Sequence, residues 1–273
     1  MLKRILRVII ISIVSSTLVA LTIGRNSFGY QFVAALSAAI LGSAVSTLSE
    51  IIDSNGQGLR LWLSSQIIHS NKDLYLSFSY LYRIRIDDKY LLIRGHRMKD
   101  RFQPIGGVYK YYPESKSFLN SIGCIPDTSM AHNSDETDDL RMQIKGKNLL
   151  KFMAWFQKME DREYSPEREF YEELIKPGYI PEEQFRQLQY RKVSVHNKGI
   201  TKSPVPNHKS EVIYADIFAV DLDKEQVKLI KAAVKDHSDQ LILATVDEIK
   251  SRIYGDVTEM NIGNNAPWIL GED

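Results

Sequence analysis

Residues 160–173 read EDREYSPEREFYEE, and the end of that run places Glu169, Glu172 and Glu173 at i, i+3 and i+4. On a helix those positions share one face. Like charges so spaced destabilise a helix by roughly a few tenths of a kcal/mol per pair unless something neutralises them. Arg168 offsets one charge. The natural partner for the rest is a hard divalent cation with oxygen ligands, Mg²⁺ above all, completed by water or phosphate oxygens. Such a metal also activates water for attack on phosphorus. On its own the pattern is more often a solvated acidic face, so its surroundings must decide.

The helix carrying this run starts at Ser165-Pro166, where Ser is a good N-cap and Pro loses only an N–H that would be unpaired anyway. It ends at Pro177-Gly178. Upstream, Leu149, Leu150, Met153 and Phe156 recur at helical spacing and predict an amphipathic helix over 146–159. LYLSFSYLYRIRI and KYLLIRG flank the Asp87-Asp88 turn and read as a β-hairpin. A Pro-Gly loop follows at 101–107, and residues 113–145 read as irregular. Downstream come the strands QLQYRKVSV and EVIYADIFAV, a helix near 223–236, the strand LILATV and a helix from Asp247. Strands mixed with helices predict an α/β or α+β domain.

The run resembles the Nudix box, G-x5-E-x7-R-E-U-x-E-E-x-G-U, in which U is a bulky apolar residue. Glu160, Arg168, Glu169, Glu172 and Glu173 stand at the required spacing, and Phe170 fills U. The strands before Pro104-Ile105-Gly106-Gly107 look like the family's approach to its box, and the resemblance covers about residues 78–255. It implies metal ligation by Glu169, Glu172 and Glu173, and a structural part for Arg168. In an active hydrolase it implies catalytic roles for Glu173 and Glu160. Two departures stand out. Ala154 occupies the counted position of the box glycine, which makes Gly107 the better candidate and implies an insertion of about 108–159. Ile175 stands where the terminal glycine belongs, and Gly178 comes three residues later.

The N-terminal part differs in character. Across 273 residues, 35 Lys plus Arg balance 34 Asp plus Glu, yet residues 1–49 hold Lys3, Arg4, Arg7 and Arg25 and no acid. Residues 8–24 and 26–49 are uncharged and largely apolar, which predicts a transmembrane hairpin with spans at about 6–24 and 30–48. A cleaved leader would still leave the second run as an anchor. The basic start places the N-terminus in the cytoplasm, and two spans return the chain there. The single Cys124 suits a reducing compartment. Ala34, Ala38, Gly42 and Ser46 form a small-residue stripe suited to close helix packing, within one chain or between chains as a homo-oligomer. The expected organisation is a two-helix transmembrane hairpin at 1–49, a connector at 50–75, and a cytoplasmic α/β Nudix-like domain at 76–273. That domain is a mixed sheet sandwiched by helices with a large insertion.

This arrangement resembles the two-helix inner-membrane proteins with a SMODS-associated Nudix domain, effectors of the bacterial cyclic-oligonucleotide anti-phage system (CBASS). The resemblance implies that a cyclic nucleotide second messenger is sensed by the Nudix-like domain and that the helices then breach the bilayer. Tyr109, Lys110 and Tyr111 combine aromatic rings with a cation, as base stacking and phosphate contact require. Arg94 and Arg101 flank the loop leading to the glycines and are candidates for holding phosphate. The part beyond residue 49 is slightly acidic, which argues against DNA as partner. Two function classes stay open: a receptor for a cyclic nucleotide, and a membrane-anchored, Mg²⁺-dependent Nudix hydrolase of nucleoside diphosphate-linked substrates.

Overall fold

The computed structural model of the chain describes residues 2–22, 28–95, 100–127, 138–204 and 209–271. They divide into two units, Met1–Ser64 and Ser65–Asp273.

The first unit holds α1 (Leu2–Thr22) and α2 (Phe28–Leu63). The two predicted helices form, but the transmembrane hairpin and the two-span inner-membrane placement do not stand. Among the described residues no helix is long and apolar enough to cross a membrane. The sequence gives the physical reason. Lys3, Arg4 and Arg7 lie at the start of α1, and Ser12, Ser15, Ser16 and Thr17 interrupt its apolar run. The apolar part of α2 consists largely of small residues, and the helix runs on through Glu50, Asp53 and Arg60, so the predicted connector is partly helical.

The second unit begins its sheets with β1 (Asp73–Arg83), β2 (Arg85–Ile86), β3 (Lys89–Arg94), β4 (Phe102–Gln103) and β5 (Gly106–Val108). There follow α3 (Lys116–Ser121), β6 (Ile125–Pro126), β7 (Arg141–Lys145), α4 (Leu149–Lys158), α5 (Glu167–Phe170) and α6 (Glu182–Phe185). The chain closes with β8 (Tyr190–Lys202), β9 (Ser210–Val220), α7 (Lys224–Asp236), β10 (Leu241–Ala244) and α8 (Val246–Ser251).

The larger sheet runs β6-β7-β1-β9-β8, with β5 also on β1. β7 and β5 share one edge of β1: β7 pairs antiparallel with Asp73–Ser77 and β5 with Ser79–Leu81. β9 takes the other edge in parallel. The smaller sheet runs β10-β3-β2, with β4 on β3. β1 is central because its residues are apolar on both faces. Leu74, Leu76, Phe78, Tyr80 and Tyr82 have no exposed surface, and Tyr75 and Leu81 are buried on the opposite face.

The segment predicted as irregular supplies α3, β6 and β7 instead, so the insertion is part of the sheet. It is also part of the core. From α4, Phe152 and Phe156 meet the Phe78 ring edge-on, with centroids 4.9 and 4.7 Å away. A second core packs Leu92, Ile242 and Ile249 against Ile262, Ala266 and Ile269 of the C-terminal segment. Capping boxes at Asp223 and Thr245 fix the starts of α7 and α8.

Candidate functional site

The site forms where β5 meets the helix that carries the acidic run. Gly106 has φ +147°, and a Cβ there would lie 2.2 Å from the Tyr80 carbonyl oxygen, so only glycine lets β5 lie against β1 at this point. A Cβ on Gly107 would lie 1.9 Å from Glu169 Oε1. The absence of that side chain is what lets Glu169 approach the strand. α5 then widens into a π-helical turn, Tyr171–Ile175, and Gly178 leaves it with φ +83°.

Arg168 ties the acidic groups together. Its Nε donates to Glu163 Oε1 at 2.9 Å, and its Nη1 to Glu169 Oε1 at 2.6 Å and Glu172 Oε2 at 3.3 Å. Its Nη2 donates to the Val108 carbonyl at 3.0 Å and to Glu163 Oε2 at 3.3 Å. One guanidinium thus joins β5, the turn after α4, and the box helix. Burial alone would lower its pKa, but the bond to Glu163 and the charge of Glu169 outweigh that and hold it above the ordinary range.

Glu173 turns the other way. It is buried, and its Oε2 accepts the Gly106 N–H at 3.0 Å. Burial raises its pKa well above the usual carboxylate range. Repulsion from Glu169 adds to this, and the Gly106 bond only partly offsets it. Glu169 is raised in the same direction, again chiefly by burial, against the pull of Arg168.

This donor set does not fit a metal cage as arranged. Among the described residues no three His, Cys, Asp or Glu side chains converge as a bound ion needs. Glu169 and Glu172 face the same guanidinium, and Glu173 faces a backbone amide. Arg168 already supplies the positive charge that the acidic face demands.

The other predicted residues fall in different places. Glu160 is exposed just beyond α4, and Glu163, which the spacing did not single out, is the acid paired with Arg168. The cause is a tight turn: Met159 and Asp161 both adopt left-handed backbone, with φ 59° and 56°. That turn brings Glu163 onto the Lys110 backbone, whose N–H it accepts at 3.2 Å. No count of intervening residues reveals such a turn. Tyr109 and Tyr111 are buried, so neither ring offers a stacking surface. The Tyr109 hydroxyl donates to Asp216 at 2.8 Å, in a network that also holds Tyr214 and Lys192. Arg162 stacks over Phe156 and Tyr109. Arg94 covers the Phe102 ring and donates to the Asp239 carbonyl at 2.5 Å, away from the box. Arg101 lies 3.6 Å from Asp100 across the same loop. Tyr80 and Tyr82 are fully buried on β1, and their hydroxyls meet no partner among the described residues. Both are held above their ordinary range by burial, with Glu163 and Glu169 contributing.

The raised Glu173 makes a pH-dependent prediction. A carboxyl whose folded pKa exceeds its unfolded value of about 4.5 favours the folded state at acid pH. That contribution is complete below the unfolded value and is lost as pH rises through the folded one. Glu173→Gln keeps an acceptor for the Gly106 N–H and removes the charge. It is expected to gain about 1 kcal/mol at pH 8, read as a Tm roughly 2–4 °C higher. Melting curves of wild type and variant should converge towards pH 5, and a constant offset would show that Glu173 is not the titrating group.

No curated protein matches the chain. No solved structure matches it either. Residues 73–270 match the SMODS-associated Nudix domain, a span that contains every strand of both sheets, the glycine pair and the Arg168 network. The chain belongs to the SMODS-associated Nudix family.

Proposed function

We propose that this chain is the receptor component of a cyclic-oligonucleotide anti-phage (CBASS) response, binding the messenger without consuming it. The observation that carries the reading is the engagement of the box acids. Glu163, Glu169 and Glu172 all face Arg168, and Glu173 faces the Gly106 amide. A hydrolase of this family needs those carboxylates on a metal, and a receptor does not. Family membership supports the choice of ligand class, because a SMODS-associated domain points to the cyclic nucleotides of that system.

Mg²⁺ enters this reading only as a competitor of Arg168 for Glu169 and Glu172. Ligand binding is therefore expected to be the same in Mg²⁺ and in EDTA. The test incubates the full chain with Mg²⁺ and with either cyclic di- and trinucleotides or nucleoside diphosphate-linked compounds. Chromatography of the recovered ligand is read beside titration calorimetry. Saturable binding of a cyclic oligonucleotide with full recovery is the expected result. Steady product formation from any member of the panel would replace the receptor with a Nudix hydrolase.

A further inference from the structure

α1 and α2 are joined by five residues and pack on each other, so they run antiparallel. Ser15 and Ser37 mark the seam between them: among the described residues of this unit they are the buried side chains, each 3 % exposed. Counted from those serines, the two helices repeat one pattern. Four residues before, one before and three after stand Ile11, Val14 and Leu18 on α1, and Val33, Leu36 and Ile40 on α2. At 3.6 residues per turn each set lies about 40–100° from its serine, in the same rotational sense. On antiparallel helices the same sense means the same broad side of the hairpin. All six side chains are 38–53 % exposed. The opposite side is different, for it carries Ser16, Ala38 and Gly42, all exposed. The Ser16 hydroxyl is spent on the Ser12 carbonyl at 2.7 Å, and a Cβ on Gly42 would meet nothing within 4 Å. The small-residue stripe therefore runs along an open side rather than through the seam.

We infer that the bulky side of this hairpin packs on the same side of a second copy of the chain, closing a four-helix bundle. A helix side that faces water carries polar residues, whereas these two helices turn large apolar ones outward in register. The spacing i, i+3, i+7 on each helix is that of a bundle core, in which two such layers interdigitate. A second copy brings a layer of the same residues at the same spacing and on the same two-helix footprint. A two-fold axis then lets each copy serve the other. The area agrees. With Ile10 and Phe32 at its rim, the side presents eight large apolar side chains, about half exposed, or on the order of 500 Å². The residues around them bring it near the ~800 Å² that a standard interface takes from each partner. No nucleotide takes part in this contact, so it stands apart from the receptor reading.

The test takes the full chain, without nucleotide, through sedimentation velocity and light scattering over a wide range of concentration. A reversible dimer is the expected result. Leu36→Glu and Val14→Glu place a charge on the bulky side, at positions half exposed in the single chain, and thermal melts verify their folding. Each is expected to weaken the dimer at least about tenfold. Gly42→Leu enlarges the opposite side and should leave the dimer constant unchanged. A chain that stays monomeric at every concentration overturns the inference. So does a dimer that both Glu variants leave intact, or one that Gly42→Leu alone disrupts, because the contact then lies elsewhere. The chain is also floated with phosphatidylcholine vesicles. Co-flotation as a monomer, lost in Leu36→Glu, would make lipid the occupant of this side and overturn the pairing of copies.

Discussion

Replacing Arg168 with alanine is expected to lower the stability of the Nudix unit by about 3 kcal/mol. The side chain is 23 % exposed, so the figure sits at the low end for a buried ion pair. The loss has two parts. Donors to Glu163, Glu169, Glu172 and the Val108 carbonyl vanish together. The carboxylates left behind then repel one another in a partly desolvated site, with Glu173 close enough to feel Glu169. For a unit of this size the change corresponds to a Tm roughly 6–12 °C lower. Arg168→Lys keeps the charge but not the fork, so it should recover only part of the loss. Adding Glu163→Gln to Arg168→Ala should return some stability, because it removes one unneutralised charge, and a double-mutant cycle in urea measures the coupling. A loss below about 0.5 kcal/mol would place Arg168 with ordinary surface pairs.

Gly106→Ala should be at least as damaging, at about 4 kcal/mol, for a different reason. The new Cβ would meet the Tyr80 carbonyl oxygen at 2.2 Å and Leu81 Cα at 2.9 Å. Both are backbone atoms of the central strand and have no rotamer with which to move aside. The alternative is for β5 to peel from β1, which breaks the Gly106–Leu81 register and takes the Gly106 N–H away from Glu173. Gly123→Ala is the control. Gly123 also has positive φ, at +72°, but its Cβ would meet nothing within 4 Å, so it should lose only the ~1–2 kcal/mol of left-handed strain. Denaturant midpoints of the two variants separate clash from strain, and equal losses would remove the case for a close approach at Gly106.

Much of the Nudix unit was legible because its signals are local. The runs that form β1, β3, β9 and β10 are apolar and bounded by turns, and of the α4 stripe read at Leu149, Leu150, Met153 and Phe156 the structure buries Leu149 and Phe156, with Phe152 and Trp155 completing the buried face. Gly107 was singled out only through the resemblance to the box, and its close approach to Glu169 is visible only in the structure. What escaped depends on tertiary context. Glu163 takes its place through left-handed residues at 159 and 161, which neither residue type announces. β7 has five residues and gains its strand character from pairing with β1. Tyr109 and Tyr111 look like a ligand surface in sequence, but both are buried, with Tyr109 packed against Tyr80 of β1 and Phe156 of α4. The predicted spans failed because the absence of charge was read as membrane-spanning hydrophobicity. Serine, threonine and small residues leave an uncharged helix only modestly apolar.

The parallel union of β1 with β9 also bears on how the chain is made. Tyr75–Arg83 pairs with Glu211–Ala219, and the partner is synthesised much later. At about 5–20 residues per second, β1 leaves the ribosome on the order of ten seconds before β9. Through that interval it is an apolar strand, rich in Tyr and Leu, with open hydrogen-bonding edges, the kind of segment that aggregates or recruits chaperones. β7 emerges between them and pairs with Asp73–Ser77 on the edge that β9 does not need. During translation, then, the insertion shelters one side of the nascent strand while the other side waits for its parallel partner.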